Sequence, residues 1–527
     1  MALTSIAATA QSDRPNILLI VADDLGYADL GVHGSDIRTP NIDELADEGI
    51  LFTQFHAAPS CALTRAMLLT GNNTHVAGMA RQGQWPGPVI PGLQGYENRL
   101  TDSRAALLPR LLTDAGYRTY MAGKWHLGET VDESPHVAGF QRSFAMKFGA
   151  GAHFSNRGIR PSDELRYHED DREADWPEGA YSTEFFTDTL IDYLEADKDS
   201  DAPFFIYAAY TSPHWPLQVP DEDLHLYAGE YEMGYDALRE QNFENLKAAG
   251  IIPSDSRLPP RLPAIKPWDE LSASEQRLES RKMELYAAMI ENLDRHIGRL
   301  LGYLKDNDLY DDTLIVFMSD NGAAAEDFYY LGEPLFSAHI QANYDDSYER
   351  AGMEGNWLAY GPQWAEASSA PFLLHKVYPS EGGQRAPMII AGNGVRERRE
   401  FSDTYLTPMD FAPTFLELAG ATYPQDKAPM LGESMTDYLA GDADTIHEDD
   451  YMTVVYNQQR AALRQGHWKL MTLEQPFDER DFALYNLAED PGESVDLARS
   501  NPRKYAELLE LWRVERKRLG ITLPEDL

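Results

Sequence analysis

Pro15-Asn16-Ile17-Leu18-Leu19-Ile20-Val21-Ala22-Asp23-Asp24-Leu25-Gly26 decides the architecture. Residues 17–22 are apolar without polar alternation, so they read as a strand buried on both faces, of the kind found inside a parallel sheet. The run is far shorter than the roughly 20 residues a membrane helix needs. Two adjacent carboxylates end it. Left bare they repel each other, and a bound divalent cation would resolve the repulsion. The plainer reading of Asp23-Asp24 is a loop or a helix cap.

Outward from this strand, strands and helices alternate. Residues 102–115 read as a helix and 117–122 as a strand. Residues 183–195 are helical, and 204–210 form a strand. Residues 273–305 make a long helix or a helix pair, and 314–318 another buried strand. Residues 388–391 make a short strand, and 408–419 a helix. This is the βαβ pattern of an open, mostly parallel sheet sandwiched by helices. Segments 213–267 and 323–370 follow strands directly, so they are expected to hang over one sheet end as lids or pocket walls. Their Tyr and Trp suit an aromatic or sugar group, and equally ordinary packing. Past residue 445 the pattern changes. Short antiparallel strands are expected at 451–456, 461–464, 468–471 and 482–486, then a terminal helix over 502–519. The fold class is therefore α/β, with a catalytic domain over 13–445 and a smaller C-terminal α+β domain over 446–527.

Composition narrows the partners. The 527 residues carry 86 acidic and 45 basic side chains, a net charge of -41. Such a surface repels nucleic acid and anionic lipid, so neither nucleic acid nor membrane is an expected partner. An anionic substrate would need positive charge supplied locally. The first eleven residues read as a frayed tail or the remnant of a clipped signal peptide. The single cysteine fits any compartment, cytoplasmic or periplasmic.

The polar residues after the strands converge. Besides Asp23 and Asp24, one strand ends in Gly123-Lys124-Trp125-His126, another in Ser212-Pro213-His214, and a third in Ser319-Asp320-Asn321-Gly322. In open α/β sheets ligands bind beyond the carboxyl ends of the strands. Three Asp and one Asn are hard oxygen ligands suited to Ca²⁺ or Mg²⁺. Cys61 opens a helix that Thr70-Gly71 closes, with Arg65 one turn on, in positive potential that favours a thiolate or a bound anion. A lone buried Cys is the plainer reading. Lys376 adds positive charge, as does Arg385 in Glu381-Gly382-Gly383-Gln384-Arg385, where a Gly-Gly turn lets backbone approach a ligand. Arg65, Lys124, His126, His214 and Lys376 would together hold a small tetrahedral anion beside a metal.

From about Pro15 to the C-terminal helix the chain resembles the type I sulfatases of the alkaline phosphatase superfamily, bacterial arylsulfatases most of all. The residues carrying this are Asp23-Asp24-Leu25-Gly26, Thr39-Pro40-Asn41-Ile42-Asp43, the Cys61 segment, Gly123-Lys124-Trp125-His126-Leu127-Gly128, Pro213-His214, Ser319-Asp320-Asn321-Gly322 and Leu484-Tyr485-Asn486-Leu487. The resemblance implies an alkaline phosphatase-like fold and hydrolysis of a small-molecule sulfate ester, an aryl sulfate above all. It implies that a formylglycine-generating enzyme oxidises Cys61 to formylglycine, whose hydrate is the nucleophile. Asp23, Asp24, Asp320 and Asn321 match Ca²⁺ ligands, completed by the modified Cys61; Mg²⁺ or Mn²⁺ would fit the same oxygens. Arg65 matches the residue that holds the hydrate, and Lys124 and His126 the pair around hydrate and sulfate. His214 and Lys376 match residues that bind sulfate and assist the leaving group. Asp320 would take the proton of the attacking hydroxyl, and His126 that of the second hydroxyl as sulfate leaves. Leu63 stands where the family motif Cys-x-Pro-x-Arg has proline, part of what the modifying enzyme recognises. The alternatives are a phosphodiesterase or phosphonate monoester hydrolase on the same scaffold, or a metal-binding relative without catalysis.

Overall fold

The computed structural model describes residues 14–80, 93, 95–159, 165, 167–326, 334–396, 400–523 and 526; the N-terminal tail read above lies outside them. Ten strands form the main sheet: β1 (Asn16–Ala22), β2 (Ile50–Phe55), β3 (Arg118–Lys124), β4 (Arg142–Met146), β5 (Tyr167–Glu169), β6 (Arg172–Ala174), β7 (Phe204–Ala209), β8 (Thr313–Ser319), β9 (Met388–Gly392) and β10 (Glu400–Leu406). Their order is β10-β2-β9-β8-β1-β7-β3-β4-β5-β6. The central block β8-β1-β7-β3-β4 is parallel. β9 runs antiparallel to both β8 and β2, and β5–β6 is an antiparallel hairpin at the edge.

The two-sided burial expected of β1 is present. Leu18, Ile20 and Ala22 enter one hydrophobic core, and Ile17, Leu19 and Val21 the other. The first core includes Phe186 and Leu190 of the Ser182–Ala196 helix and Leu285 and Leu293 of the Ala273–Asp306 helix. The latter is one continuous helix, opened by a capping box in which Ser272 Oγ accepts from Glu275 N and Glu275 reaches back to Ser272 N. The second core takes the Cys61–Thr70, Leu108–Asp114 and Phe411–Leu418 helices.

Some boundaries differ from expectation. The helix expected over 102–115 begins only at Leu108, where Pro109 fits the first turn because the helix asks no N–H of it there. The segment 408–419 starts as a 3-10 turn, Pro408–Asp410, before becoming α-helical. Strands β2, β4, β5, β6 and β10 were not anticipated.

The two insertions do fold over the carboxyl end of the sheet, and they pair with each other. Leu217 N donates to Leu358 O (2.8 Å), Val219 N donates to Gly352 O (2.9 Å), and the Trp215 and Trp357 rings lie 5.4 Å apart. Trp268, Trp357, Trp364, Tyr231 and Tyr235 are all buried, so these aromatic side chains serve packing.

The C-terminal part is a four-stranded antiparallel sheet of β11 (Met452–Asn457), β12 (Arg460–Gln465), β13 (Trp468–Thr472) and β14 (Ala483–Asn486). The Pro502–Leu519 helix lays Leu508, Trp512 and Leu519 on its core. The turn between β11 and β12 reaches the main sheet's working end: Asn457 Nδ2 donates to Ser60 Oγ (3.2 Å) and to Val377 O (3.3 Å). Among the described residues no helix is long and apolar enough to cross a membrane.

Candidate active site

Parallel neighbours end at the same edge, which is why β8, β1, β7 and β3 deliver their following residues to one place. Asp24 adopts a left-handed backbone (φ 67°) and is fixed by its neighbours. Its N–H donates to Asp320 Oδ1 (3.2 Å), and the next N–H, of Leu25, donates to Ser319 Oγ (3.0 Å). Tyr286, from the long helix, accepts from Gly26 N (3.2 Å) and donates to Asp29 Oδ2 (2.8 Å), bracing the same turn from behind. Cys61 is the first residue of its helix, which closes at Gly71 in the left-handed region (φ 66°). Its thiol is fully buried and donates to Asp24 Oδ1 (3.5 Å).

The cations are each committed to a carboxylate. Lys124 Nζ spans both oxygens of Asp23 (2.7 Å each). Arg65 gives Nε and Nη2 to Asp320 Oδ2 (2.8 and 2.7 Å) and Nη1 to the Lys124 carbonyl and the Tyr207 hydroxyl, so the structure places this guanidinium on Asp320. Lys376 Nζ meets Asp24 Oδ2 (2.8 Å) and His214 Nε2 (3.3 Å). His214 Nδ1 lies 2.8 Å from the Trp215 carbonyl, an oxygen that can only accept, so Nδ1 carries the hydrogen, while Nε2 lies 3.3 Å from Lys376 Nζ and 3.1 Å from Asp24 Oδ2. Burial, then the Lys376 and Lys124 charges, hold the His214 imidazole well below its usual range. His126 has a left-handed backbone (φ 58°) and a buried Nδ1 with no partner among the described residues. Burial and Lys124 lower it too.

Does this constellation fit a metal? Burial pushes the Asp23 carboxyl up to about 8 against the pull of Lys124, with Asp320 and Asp24 adding to the rise. The crowded carboxylates thus want more positive charge than their lysine supplies. Asn321 gives the sharper indication. Its Nδ2 donates to Asp24 Oδ1 (2.7 Å) and Gly322 O (2.8 Å), while its Oδ1 is buried with no partner among the described residues. An orphaned hard acceptor beside three carboxylates fits an oxygen-ligated divalent cation. Asp23, Asp24, Cys61 and His214 also bring ligand atoms within 4.8 Å of one another.

Two expectations need correction. The helix N-terminus does not favour a thiolate at Cys61: burial, followed by Asp320, raises the thiol well above its usual value despite Lys124 and Lys376. The Gly-Gly segment is not a turn either. Residues Glu381–Gln384 form a short helix whose glycines pack on the chain itself; a Cβ on Gly382 would meet Leu374 O at 2.1 Å, and one on Gly383 would meet Tyr378 O at 2.0 Å. Arg385 points away from the anion pocket, donating to Thr53 O (2.7 Å) over the Phe372 ring. Sequence reading also missed Tyr207, Tyr286, Gly149 and Glu326, all of which touch site residues. Leu63, in the proline position of the motif, is buried with Ala58, Met67 and Met409, and its N–H donates to Ser60 O (3.1 Å).

Oxygen ligands, a buried thiol and convergent cations at the end of a parallel sheet define a hydrolase for esters of a small tetrahedral oxyanion. The protein belongs to the sulfatase family, whose model matches residues 15–421; a second model, described as N-sulphoglucosamine sulphohydrolase, C-terminal, matches residues 373–515. It is 38% identical to an uncharacterized sulfatase of Schizosaccharomyces pombe, over 98% of this chain and 96% of that one. It is 37% identical to an arylsulfatase of Klebsiella aerogenes, over 83% of this chain and 94% of that one. Among solved structures, Ps i-CgsB in complex with k-i-k-neocarrahexaose superposes with a TM-score of 0.68 at 25% identity, covering 97% of this chain and 94% of that one. BT4656 in complex with D-glucosamine-2-N,6-O-disulfate shares the fold at 20% identity and a TM-score of 0.65, over 97% of this chain and 99% of that one. The protein is thus a sulfuric ester hydrolase, of a family that works with a metal and a formylglycine, and its acidic residues and cysteine cluster accordingly.

Proposed function

We propose that this sulfatase cleaves aryl sulfates with a formylglycine made from Cys61 by a formylglycine-generating enzyme, beside a Ca²⁺ held by Asp23, Asp24, Asp320 and Asn321 and completed by the modified Cys61. The likeness to an arylsulfatase supports the aryl leaving group. The observation that carries the reading is the sharing of one carboxylate: Asp24 Oδ1 receives both Cys61 Sγ (3.5 Å) and Asn321 Nδ2 (2.7 Å), so nucleophile and ligand set meet there. When present, the formylglycine hydrate supplies two hydroxyls, one to attack sulfur and one to expel sulfate, and the Ca²⁺ supplies charge to the sulfate oxygens.

The chain's own residues do the rest. Lys124 and Lys376 add positive charge around the sulfate oxygens as charge moves toward the bridging oxygen. Asp320, held by Arg65, takes the proton of the attacking hydroxyl, and His126 that of the second. Lys376 gives its proton to the departing oxygen, with the neutral His214 accepting at Nε2 and steering the ammonium. His214 is held in turn from behind, where His153 Nε2 donates to its carbonyl (3.0 Å).

The test is peptide mass spectrometry on protein that turns over an aryl sulfate. The peptide containing Cys61 is expected to carry the aldehyde, and chelator treatment to abolish turnover until Ca²⁺ is restored. Unmodified thiol throughout an active preparation, or full activity free of divalent metal, would overturn the proposal.

A further inference from the structure

Glu326 is a carboxylate in a pocket built for anions, and nothing in the mechanism above uses it. It lies six residues beyond Asp320, at the start of the second lid. The Lys376 turn is stitched to the same segment from the side, since Lys376 N donates to Ala323 O (3.0 Å). Glu326 Oε1 stands 3.6 Å from Lys376 Nζ. Its Oε2 is buried, with no partner among the described residues. Side-chain exposure rises outward through this group: 1% at Asp24, 3% at Lys376, 5% at His214 and 21% at Glu326. Glu326 is therefore on the mouth side of Lys376, whereas Asp24 is on the side of Cys61 and Asn321. A sulfate held by Lys376 would then present its ester oxygen and leaving group toward that mouth.

As a counter-ion alone Glu326 would be redundant, because Asp24 already meets the same ammonium at the shorter distance of 2.8 Å. Its cost to anion binding is real, since a like charge this close to the sulfate weakens its hold. An acceptor that is desolvated yet unmatched gains a partner only when something enters the mouth.

We propose that Glu326 is a specificity-determining residue that reads the leaving group, accepting a hydrogen bond from a hydroxyl or pairing by charge with a cationic nitrogen next to the ester, and rejecting leaving groups that carry a second anion. The preferred substrates are then monosulfates of hydroxyl- or amine-bearing phenols and alcohols, and polysulfated or carboxylated ones are poor. The inference rests on the sulfate-ester reading of the site.

Three phenyl sulfates test it, carrying neutral, trimethylammonium and carboxylate substituents and compared at matched leaving-group pKa, with wild type and Glu326→Gln. Wild type is expected to favour the cationic over the anionic ester. Glu326→Gln, which keeps the shape, is expected to compress that ratio by about tenfold, through KM rather than kcat, as loss of one partly screened charge should. Glu326→Asp should retain part of the ratio, and the melting temperature of all variants should match wild type. Turnover with an unchanged ratio in Glu326→Gln would overturn the inference while leaving the sulfatase reading intact. If wild type turned over none of the esters, that reading would fall instead. Glu326 would still be decided by calorimetric binding of trimethylammonio- and carboxybenzenesulfonate, where equal affinity ratios in both proteins refute it.

Discussion

A glycine sets the position of the His126 ring. A Cβ added to Gly149 would come within 2.3 Å of His126 Cε1 and 2.5 Å of Nε2. Gly149→Ala is therefore expected to displace the imidazole and lower kcat by about a hundredfold, the lower end of what losing a general base costs, with the melting temperature little changed. Steady-state kinetics beside a thermal melt checks this, and an unchanged kcat would remove His126 from the reaction. Most of the site residues that were legible in the sequence share one property: they end or follow a strand or lie in the first turns of the Cys61 helix, so position along the chain gave position in space; Lys376, in a turn ahead of Glu381–Gln384, is the exception. Gly149 follows β4, a strand the sequence did not reveal, and Glu326 lies seven residues past the end of β8. Glu326 meets Lys376 across fifty residues of sequence, and one carboxylate in so acidic a chain carries no signal of its own.

Between elements, the long helix braces the turn after β1 through Tyr286 and Asp29. Burial pushes the Asp29 carboxyl up to about 7, against the hydrogen bond from Tyr286. A folded-state value above the ordinary 3.8 means that the native protein holds this proton more tightly than the unfolded chain. The stability so contributed is complete below pH 3.8 and is lost as pH rises through 7. Asp29→Asn, which cannot titrate, should gain on wild type across that window, at up to about 1.4 kcal/mol per pH unit. Denaturation midpoints of both proteins at intervals from pH 4 to 7.5 measure it; parallel curves would mean that Asp29 is ionised throughout. Elements whose burial is two-sided, such as β1, β7 and β8, were readable as apolar runs. The β5–β6 hairpin was not, because Tyr167-His168-Glu169 owes its strand form to pairing with β4, and Arg172-Glu173-Ala174 to pairing with β5 at the sheet edge, rather than to any apolar pattern.

Across the whole molecule, the C-terminal sheet is locked to the catalytic part by a buried ion cluster. Lys469 of β13 holds Glu381 Oε1 (2.8 Å) and Glu493 Oε1 (2.7 Å), and Glu381 Oε2 meets His56 Nε2 (2.7 Å). Lys469→Met removes the cation and strands two buried carboxylates, which is expected to cost about 3–5 kcal/mol. Chemical denaturation gives the value directly; a loss below about 1 kcal/mol, the scale of a surface pair, would show the cluster to be solvated. Sequence alone exposed the change of pattern near residue 445, but not this lock, whose partners are scattered from His56 to Glu493. The contact of Asn457 with Ser60 has a consequence in time. Asn457, made 396 residues after Cys61, hydrogen-bonds the residue just before it. At about 5–20 residues per second, synthesis leaves roughly 20–80 s between the appearance of the thiol and that contact. Were Cys61 matured as proposed, it would be in a race against the ribosome, and slowing translation should raise the fraction of chains that win it.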